Sequence, residues 1–176
     1  MTRYVALLGS INVGGNRLKM AELREALERE DFEDVETVVA SGNVLFSHDE
    51  RPSDGLAEKI AYVVKDRFGI DTFAVVRNRD ELAAAIADNP FVGENEDKFV
   101  HTLFLTEPLD RTTFMAFVDG YAGPERLAPG TREFFVDFGE GVADSKLGQG
   151  MRKLKLRSTS RNVRSLQRML DKMDSF

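Results

Sequence analysis

The chain has no cysteine and no tryptophan, and only two histidines among its 176 residues. Without Cys there is no disulfide framework, no thiol nucleophile and no thiolate metal site. His48 and His101 lie too far apart to form a paired-ligand motif, so no metal site is expected. Long apolar runs are missing as well. The longest early one, Tyr-Val-Ala-Leu-Leu at residues 4–8, is far shorter than a spanning helix needs. It also lacks the longer apolar core and cleavage site of a secretory signal. The expectation is a soluble, cytoplasmic protein with no membrane partner. With thirteen Phe and no Trp, its core should be built from Phe, Leu and Val.

Familiar catalytic signatures are absent too. There is no G-x-S-x-G elbow to anchor a hydrolase triad, and the Asp-Phe-Gly at 137–139 has no Gly-rich loop or H-R-D beside it. Neither G-x-G-x-x-G nor G-K-[ST] occurs in the one glycine-rich loop, so Rossmann and Walker sites are unsupported. Which cofactor the protein uses, if any, is not read from the sequence.

What is present is ordinary globular composition, 42% hydrophobic and 31% charged. It suits one large domain or two small ones and can bury a core without staples. The net charge of −6 is unevenly spread. Residues 146–176 hold nine Lys+Arg against two Asp+Glu, whereas residues 1–145 hold fifteen against twenty-eight. A basic tail on an acidic body is an anion-binding element or a segment that docks on that body.

Apolar periodicity yields an α+β protein. Residues 3–9 read as a buried strand, and 19–30 as a helix with Met20, Leu23 and Leu27 on one stripe. Residues 35–40 and the Val-Leu-Phe after Asn43 read as strands joined by a tight hairpin at Ser41-Gly42-Asn43. A helix opened by Pro52 and Ser53 ends at Gly69, and 72–76 is a further strand. The order is βαββαβ, the ferredoxin-like unit, assigned to residues 1–77. Residues 78–176 form a second, smaller α+β half with basic C-terminal helices, which could be intertwined with the first, share its sheet or join it in one compact domain. It has a helix at 78–90 capped by Asn78, a strand at 99–106, a helix at 110–121 and a strand at 132–138. Helices near 147–155 and 161–173 close the chain. Gly-Tyr-Ala-Gly-Pro-Glu-Arg-Leu-Ala-Pro-Gly, from Gly120, is the most linker-like piece. No sequence repeat is visible, though the topology could repeat.

The loop Gly-Ser-Ile-Asn-Val-Gly-Gly-Asn, from Gly9, lies between strand and helix, where glycines and free amides suit an anion. Lys19 opposes the helix dipole at that helix start, which an anionic partner would relieve. A glycine turn with a solvated Lys is the plain alternative. In a sheet of order 4-1-3-2, strands 1 and 2 run the same way. Asn12, Gly14, Gly15, Ser41 and Asn43 therefore share one sheet edge, with Arg77 at the other. Ser158-Thr159-Ser160 is N-cap material, and Arg161, Arg164, Arg168 and Lys172 form a basic stripe on the last helix.

Taken in order, "GSINVGGNRLKMAELREAL", "ASGNVLF", "NPF" near 89, "DSKL" and "STSRNVRSLQRML" resemble the bacterial family known as domain of unknown function 1697. The resemblance spans residues 3–172. It implies a small cytoplasmic protein with ferredoxin-like elements and supplies no activity. It also implies signature positions at Asn12, Gly14, Gly15, Lys19, Ser41, Gly42, Asn43, Ser145, Lys146, Thr159, Arg161 and Asn162. Here Ser160 replaces a usual Ala, Val163 a usual aromatic, and Ser10 a frequent Arg. Such residues on loops and helix starts suit a polar binding surface.

The leading expectation is a small anionic ligand, nucleotide-like or phosphorylated, held by Lys19, Lys146, Arg161 and the loop amides. A nucleic-acid module is disfavoured. Tyr4 and Phe46 offer an aromatic pair on central strands, but no basic-aromatic run accompanies them and the body is acidic. An enzyme using Lys19, Lys146 or a carboxylate as acid or base, and a protein-interaction module, are the other readings.

Overall fold

The first strand, β1 (Thr2–Leu8), is buried on both faces over Tyr4–Leu8, which is why it reads as an unbroken apolar run. A computed structural model describes residues 1–9, 11, 17–142 and 145–176. After β1 come α1 (Met20–Glu28), β2 (Glu33–Thr37), β3 (Asn43–His48), α2 (Ser53–Phe68), β4 (Ala74–Asn78) and α3 (Arg79–Ala87). The rest is β5 (Val100–Leu105), α4 (Arg111–Gly120), β6 (Arg126–Pro129), β7 (Glu133–Asp137), α5 (Leu147–Met151), β8 (Ser158–Asn162) and α6 (Val163–Asp174). Two compact units result. One is Met1–Ala83 with Arg168–Phe176, and the other is Ala84–Gln167.

The first unit holds a four-stranded antiparallel sheet of order β2-β3-β1-β4. This is the strand order that the βαββαβ reading requires, with β1 and β2 parallel to each other. Tyr4, Ala6 and Leu8 face α1 and α2 and form the core with Leu23, Leu27 and Ile60. α2 ends where Gly69 takes φ 67° and its amide donates to Lys65 O at 2.9 Å. The end of α6 returns to this unit. Arg79 grips Asp174 through two nitrogens at 2.8 and 3.1 Å, Lys172 meets Glu36 at 3.3 Å, and Arg3 lies 4.0 Å over the Phe176 ring.

The second unit repeats the topology, with sheet order β6-β7-β5-β8. The register repeats as well. Tyr4 pairs with Phe46 and Asn78, as His101 pairs with Val136 and Asn162. Leu7 pairs with Asn43 and Val75, as Phe104 pairs with Glu133 and Thr159. Arg77 thus corresponds to Arg161, and Asn78 to Asn162. Both asparagines cap the helix that follows. Asn78 Oδ1 accepts from Glu81 N at 2.8 Å while Glu81 Oε1 accepts from Asn78 N at 2.9 Å, a reciprocal capping box. Asn162 Oδ1 accepts from Ser165 N at 2.8 Å.

Five expectations are corrected. The β2–β3 connection is not a tight hairpin. β2 ends at Thr37, and Val38–Gly42 make a wider turn with Val39 at φ 66° and Gly42 at φ 87°. Strand β4 begins at Ala74 and runs to Asn78, later than the expected 72–76. The linker-like piece contains β6, an edge strand that ends at Pro129, where a missing amide costs no sheet bond. Ser158-Thr159-Ser160 is strand β8, not a cap, because β5 supplies its hydrogen-bonding partner, and α5 stops at Met151 in a 3-10 turn.

Gly9 illustrates a packing demand. A Cβ built there would enter the Phe73 ring, while the Gly9 amide donates to Phe73 O at 2.9 Å. Gly9→Ala should therefore lower stability by about 1–3 kcal/mol through overpacking. At about 2–4 °C per kcal/mol for a chain this size, a melting curve will detect it. An unchanged midpoint would show that Phe73 swings aside freely.

Candidate functional site

At the end of β1 three bonds gather one edge of the first sheet. Leu8 N donates to Gly42 O at 2.8 Å, Gly9 N to Phe73 O, and the Thr72 hydroxyl to Gly9 O. Ser41, exposed on the β2–β3 turn, thus shares an edge with the loop that leaves β1. Asn12, Gly14 and Gly15 lie outside the described residues. Beyond them, Ile11 and Leu18 insert into the core, whereas Arg17 and Lys19 are exposed. Neither cation forms an ion pair or side-chain hydrogen bond among the described residues. Lys19 is the N-cap residue of α1 and offers no side-chain cap, so its own side chain leaves the first-turn amides without an acceptor. Arg17 is the residue the motif reading passes over. Asn43 is 1% exposed and opens β3 opposite Leu7. Arg77 is buried at the far edge, as the strand directions require.

The other predicted residues fall in the second unit, where the geometry gives several of them structural tasks. The Ser145 hydroxyl donates to Glu125 and accepts from Leu147 N at 3.1 Å, which pins the start of α5. Tyr121 OH donates to the second Glu125 oxygen. Burial pushes the Glu125 carboxyl up, but the Ser145 and Tyr121 hydroxyls outweigh it and hold it below the usual carboxylate range. Burial, then the bond to Glu125, pushes Tyr121 up to about 12. Lys146 is exposed at the start of α5, with no partner among the described residues. Thr159 and Arg161 come together, with Arg161 Nη1 donating to Thr159 Oγ1 at 2.7 Å and to Ser160 O at 2.9 Å. They stand opposite Phe104 and Thr102, on the sheet face away from Leu103, Leu105 and the helix α5 that Lys146 opens. Burial pushes the Arg161 guanidinium down to about 10, leaving it charged at neutral pH.

Further polar groups escape sequence reasoning because their partners are remote in the chain. Asp137 is 6% exposed. It accepts from Arg126 at 2.6 and 3.1 Å, from Asn95 at 2.8 Å and from Gly139 N at 2.9 Å. Burial raises its carboxyl, but these donors outweigh that and hold it below the usual value. The Asp-Phe-Gly sequence is therefore a turn in which an aspartate caps its own strand end. Asn-Pro-Phe is a turn of the same kind, with Asn89 Oδ1 accepting from Phe91 N at 3.0 Å. Tyr4 and Phe46 stack at 5.5 Å with 2% and 0% exposure, so they cannot serve as a base-stacking platform. No helix is long and apolar enough to cross a membrane, and no group of three metal-ligating side chains occurs among the described residues.

These features define an α+β protein with two four-stranded antiparallel sheets of matching register. The chain belongs to the family described as "Protein of unknown function (DUF1697)", which it matches over residues 1–135. That match does not extend to Ser145, Lys146, Thr159, Arg161 or Asn162. Among solved structures, the chain is similar to a conserved bacterial protein, SP0830 from Streptococcus pneumoniae. The two are 27% identical, with a TM-score of 0.74 over 98% of each chain. No curated protein matches significantly.

Two measurements test the second unit. Asn162→Ala should cost about 0.5–2 kcal/mol of stability, the usual price of a lost cap. A neutral result would release Asn162 from its structural role. His101 donates or accepts at Ser160 Oγ at 2.8 Å and packs edge-on to Phe138. Burial, against a smaller pull from the Lys98 backbone, pushes its pKa down to about 4. The unfolded chain binds this proton first, so stability should fall as pH drops from about 6.5 toward about 4. Urea midpoints across that window should flatten in His101→Gln, and a slope identical to wild type would assign the loss to other groups.

Proposed function

We propose that the protein binds a small anionic ligand, nucleotide-like or phosphorylated, at the edge of the first sheet where β1 ends. The carrying observation is the start of α1, where the N-cap Lys19 makes no side-chain cap and, like Arg17, is an exposed cation without a partner among the described residues. First-turn amides and the helix dipole favour an anion at that place. Lys19 at a helix start is unfavourable alone and becomes favourable once an anion sits between it and the amides. Ser41 adds a hydroxyl on the same edge, tied there by the Leu8–Gly42 bond. Asn12, Gly14 and Gly15 belong to the same loop in sequence. The reading rests on the first unit. Lys146, Thr159, Arg161 and Asn162 are not required for it, and Ser145 directs its proton to a carboxylate.

A thermal-shift screen with nucleotides, phosphosugars and simple anions tests this. A ligand at about 100 times its Kd adds about 2.7 kcal/mol, which raises the midpoint by several degrees. The expected shift disappears in Lys19→Ala and persists in Asn162→Ala. A panel without any shift, or a shift indifferent to Lys19, would remove the proposal.

A further inference from the structure

Between Ser145 and Leu170 the chain has no acidic residue, although acids outnumber bases overall by 30 to 24. Eight of its cations fall in that span, four of them in the short run Arg-Lys-Leu-Lys-Leu-Arg at 152–157. The structure explains how this run presents its charge. Leu154 and Leu156 pack against the core of the second unit, while Arg152, Lys153, Lys155 and Arg157 are exposed. Lys155 takes a left-handed backbone, φ 52°, which turns the chain out of the 3-10 turn and into β8. With the two leucines packed inward, the four cations between and beside them stay exposed within six consecutive residues.

Ion pairs neutralise many other cations of the chain, among them Arg3, Arg67, Arg79 and Arg126. Arg152, Lys153 and Lys155, with Lys146 nearby in sequence, form none among the described residues. On a protein with surplus carboxylates, unpaired cations concentrated on one strip are not charge balance. A cavity of about 220 Å³ adjoins the strip, lined by Lys155, Arg157, the Thr106 residue and one carboxylate, Glu107. It lies at the ends of β5 and β8, where Thr106 N donates to Arg157 O at 3.3 Å. Register equivalence makes this the counterpart of the Gly9–Phe73 edge in the first unit.

We infer that the strip Arg152–Arg157 docks the phosphodiester backbone of a nucleic acid, with one phosphate at the cavity beside Lys155 and Arg157. One phosphate needs only two or three donors. Four exposed cations within six consecutive residues, only two of which line the cavity, suit a chain of phosphates instead. Base stacking is not invoked, since Tyr4 and Phe46 are buried, so the binding should be insensitive to sequence and sensitive to salt. This inference is independent of the ligand proposed for the first unit, and its variants lie in the other unit.

The test uses the full chain and a fluorescein-labelled oligouridylate of about 16 nucleotides, with anisotropy read between about 50 and 200 mM salt. Wild type should bind at low salt and weaken steeply as salt rises. Lys153→Gln with Lys155→Gln keeps side-chain length and removes two charges. It should lower the slope of log K against log salt by about 1.4 for a single strand, with an unchanged melting curve. Lys153→Arg, which keeps the charge, should keep the wild-type slope. Absence of binding at low salt, or an unaltered slope in the double variant, overturns the inference. Binding to phosphatidylserine vesicles with none to the oligonucleotide overturns it too and assigns the strip to a lipid surface.

Discussion

Each sheet depends on its first strand lying between the third and the fourth. β1 hydrogen-bonds on both sides and is buried on both faces over Tyr4–Leu8, where it is an apolar run, while β5 hydrogen-bonds on both sides in the second unit and carries a half-buried His101 and a buried Thr102 before its apolar end. Once that strand is placed, the βα connections must cross over the sheet, which buries one stripe of each helix against it. The edge at which β1 ends is then fixed without further information. It must receive the loop toward α1, the turn after β2 and the entry to β4. Backbone bonds from Leu8 and Gly9 close that edge, and bonds from Leu105 and Thr106 close its equivalent. The candidate ligand edge and the cavity beside Lys155 are both products of this constraint.

The two units use equivalent positions differently. Arg77 and Arg161 stand at the same register, yet Arg77 is 3% exposed and Arg161 only partly buried. Tyr4 binds the Arg51 backbone with its hydroxyl, while His101 at the matching position meets Ser160. Where both units keep the same residue for the same task, as with the capping Asn78 and Asn162, architecture is the sufficient reason. That weighs against counting Asn162 among ligand contacts. Where they diverge, at Lys155 and Asp71 or at Arg157 and Phe73, the local charge and chemistry have changed on an unchanged frame.

Much of the first half is legible in the sequence because its signals are local. The stripe Leu23–Leu27, the Gly69 stop and the apolar run Val44–Phe46 of β3 each lie within a few residues, and the edge shared by Ser41 and the first loop follows from topology. The second half hides two strands. Arg-Leu-Ala-Pro has four residues and a proline, and Ser-Thr-Ser-Arg-Asn has no apolar alternation, so only pairing with β7 and β5 makes strands of them. Val38 and Val39 mislead in the opposite direction, since β-branched residues there sit in a turn. In the candidate site, Lys19 is legible as a cation against a helix dipole. The bond from Ser145 to Glu125 is not, because twenty residues separate its partners and no local pattern marks Glu125.

The return of Arg168–Phe176 to the first unit bears on how the chain is made. Those residues leave the ribosome after the whole of the second unit has been synthesised. The bonds from Arg79 to Asp174 and from Lys172 to Glu36, and the ring beneath Arg3, form last. Domains usually complete themselves in the order of synthesis. In this chain the half begun first gains its contacts at Arg3, Glu36 and Arg79 only once the C-terminal helix has been made.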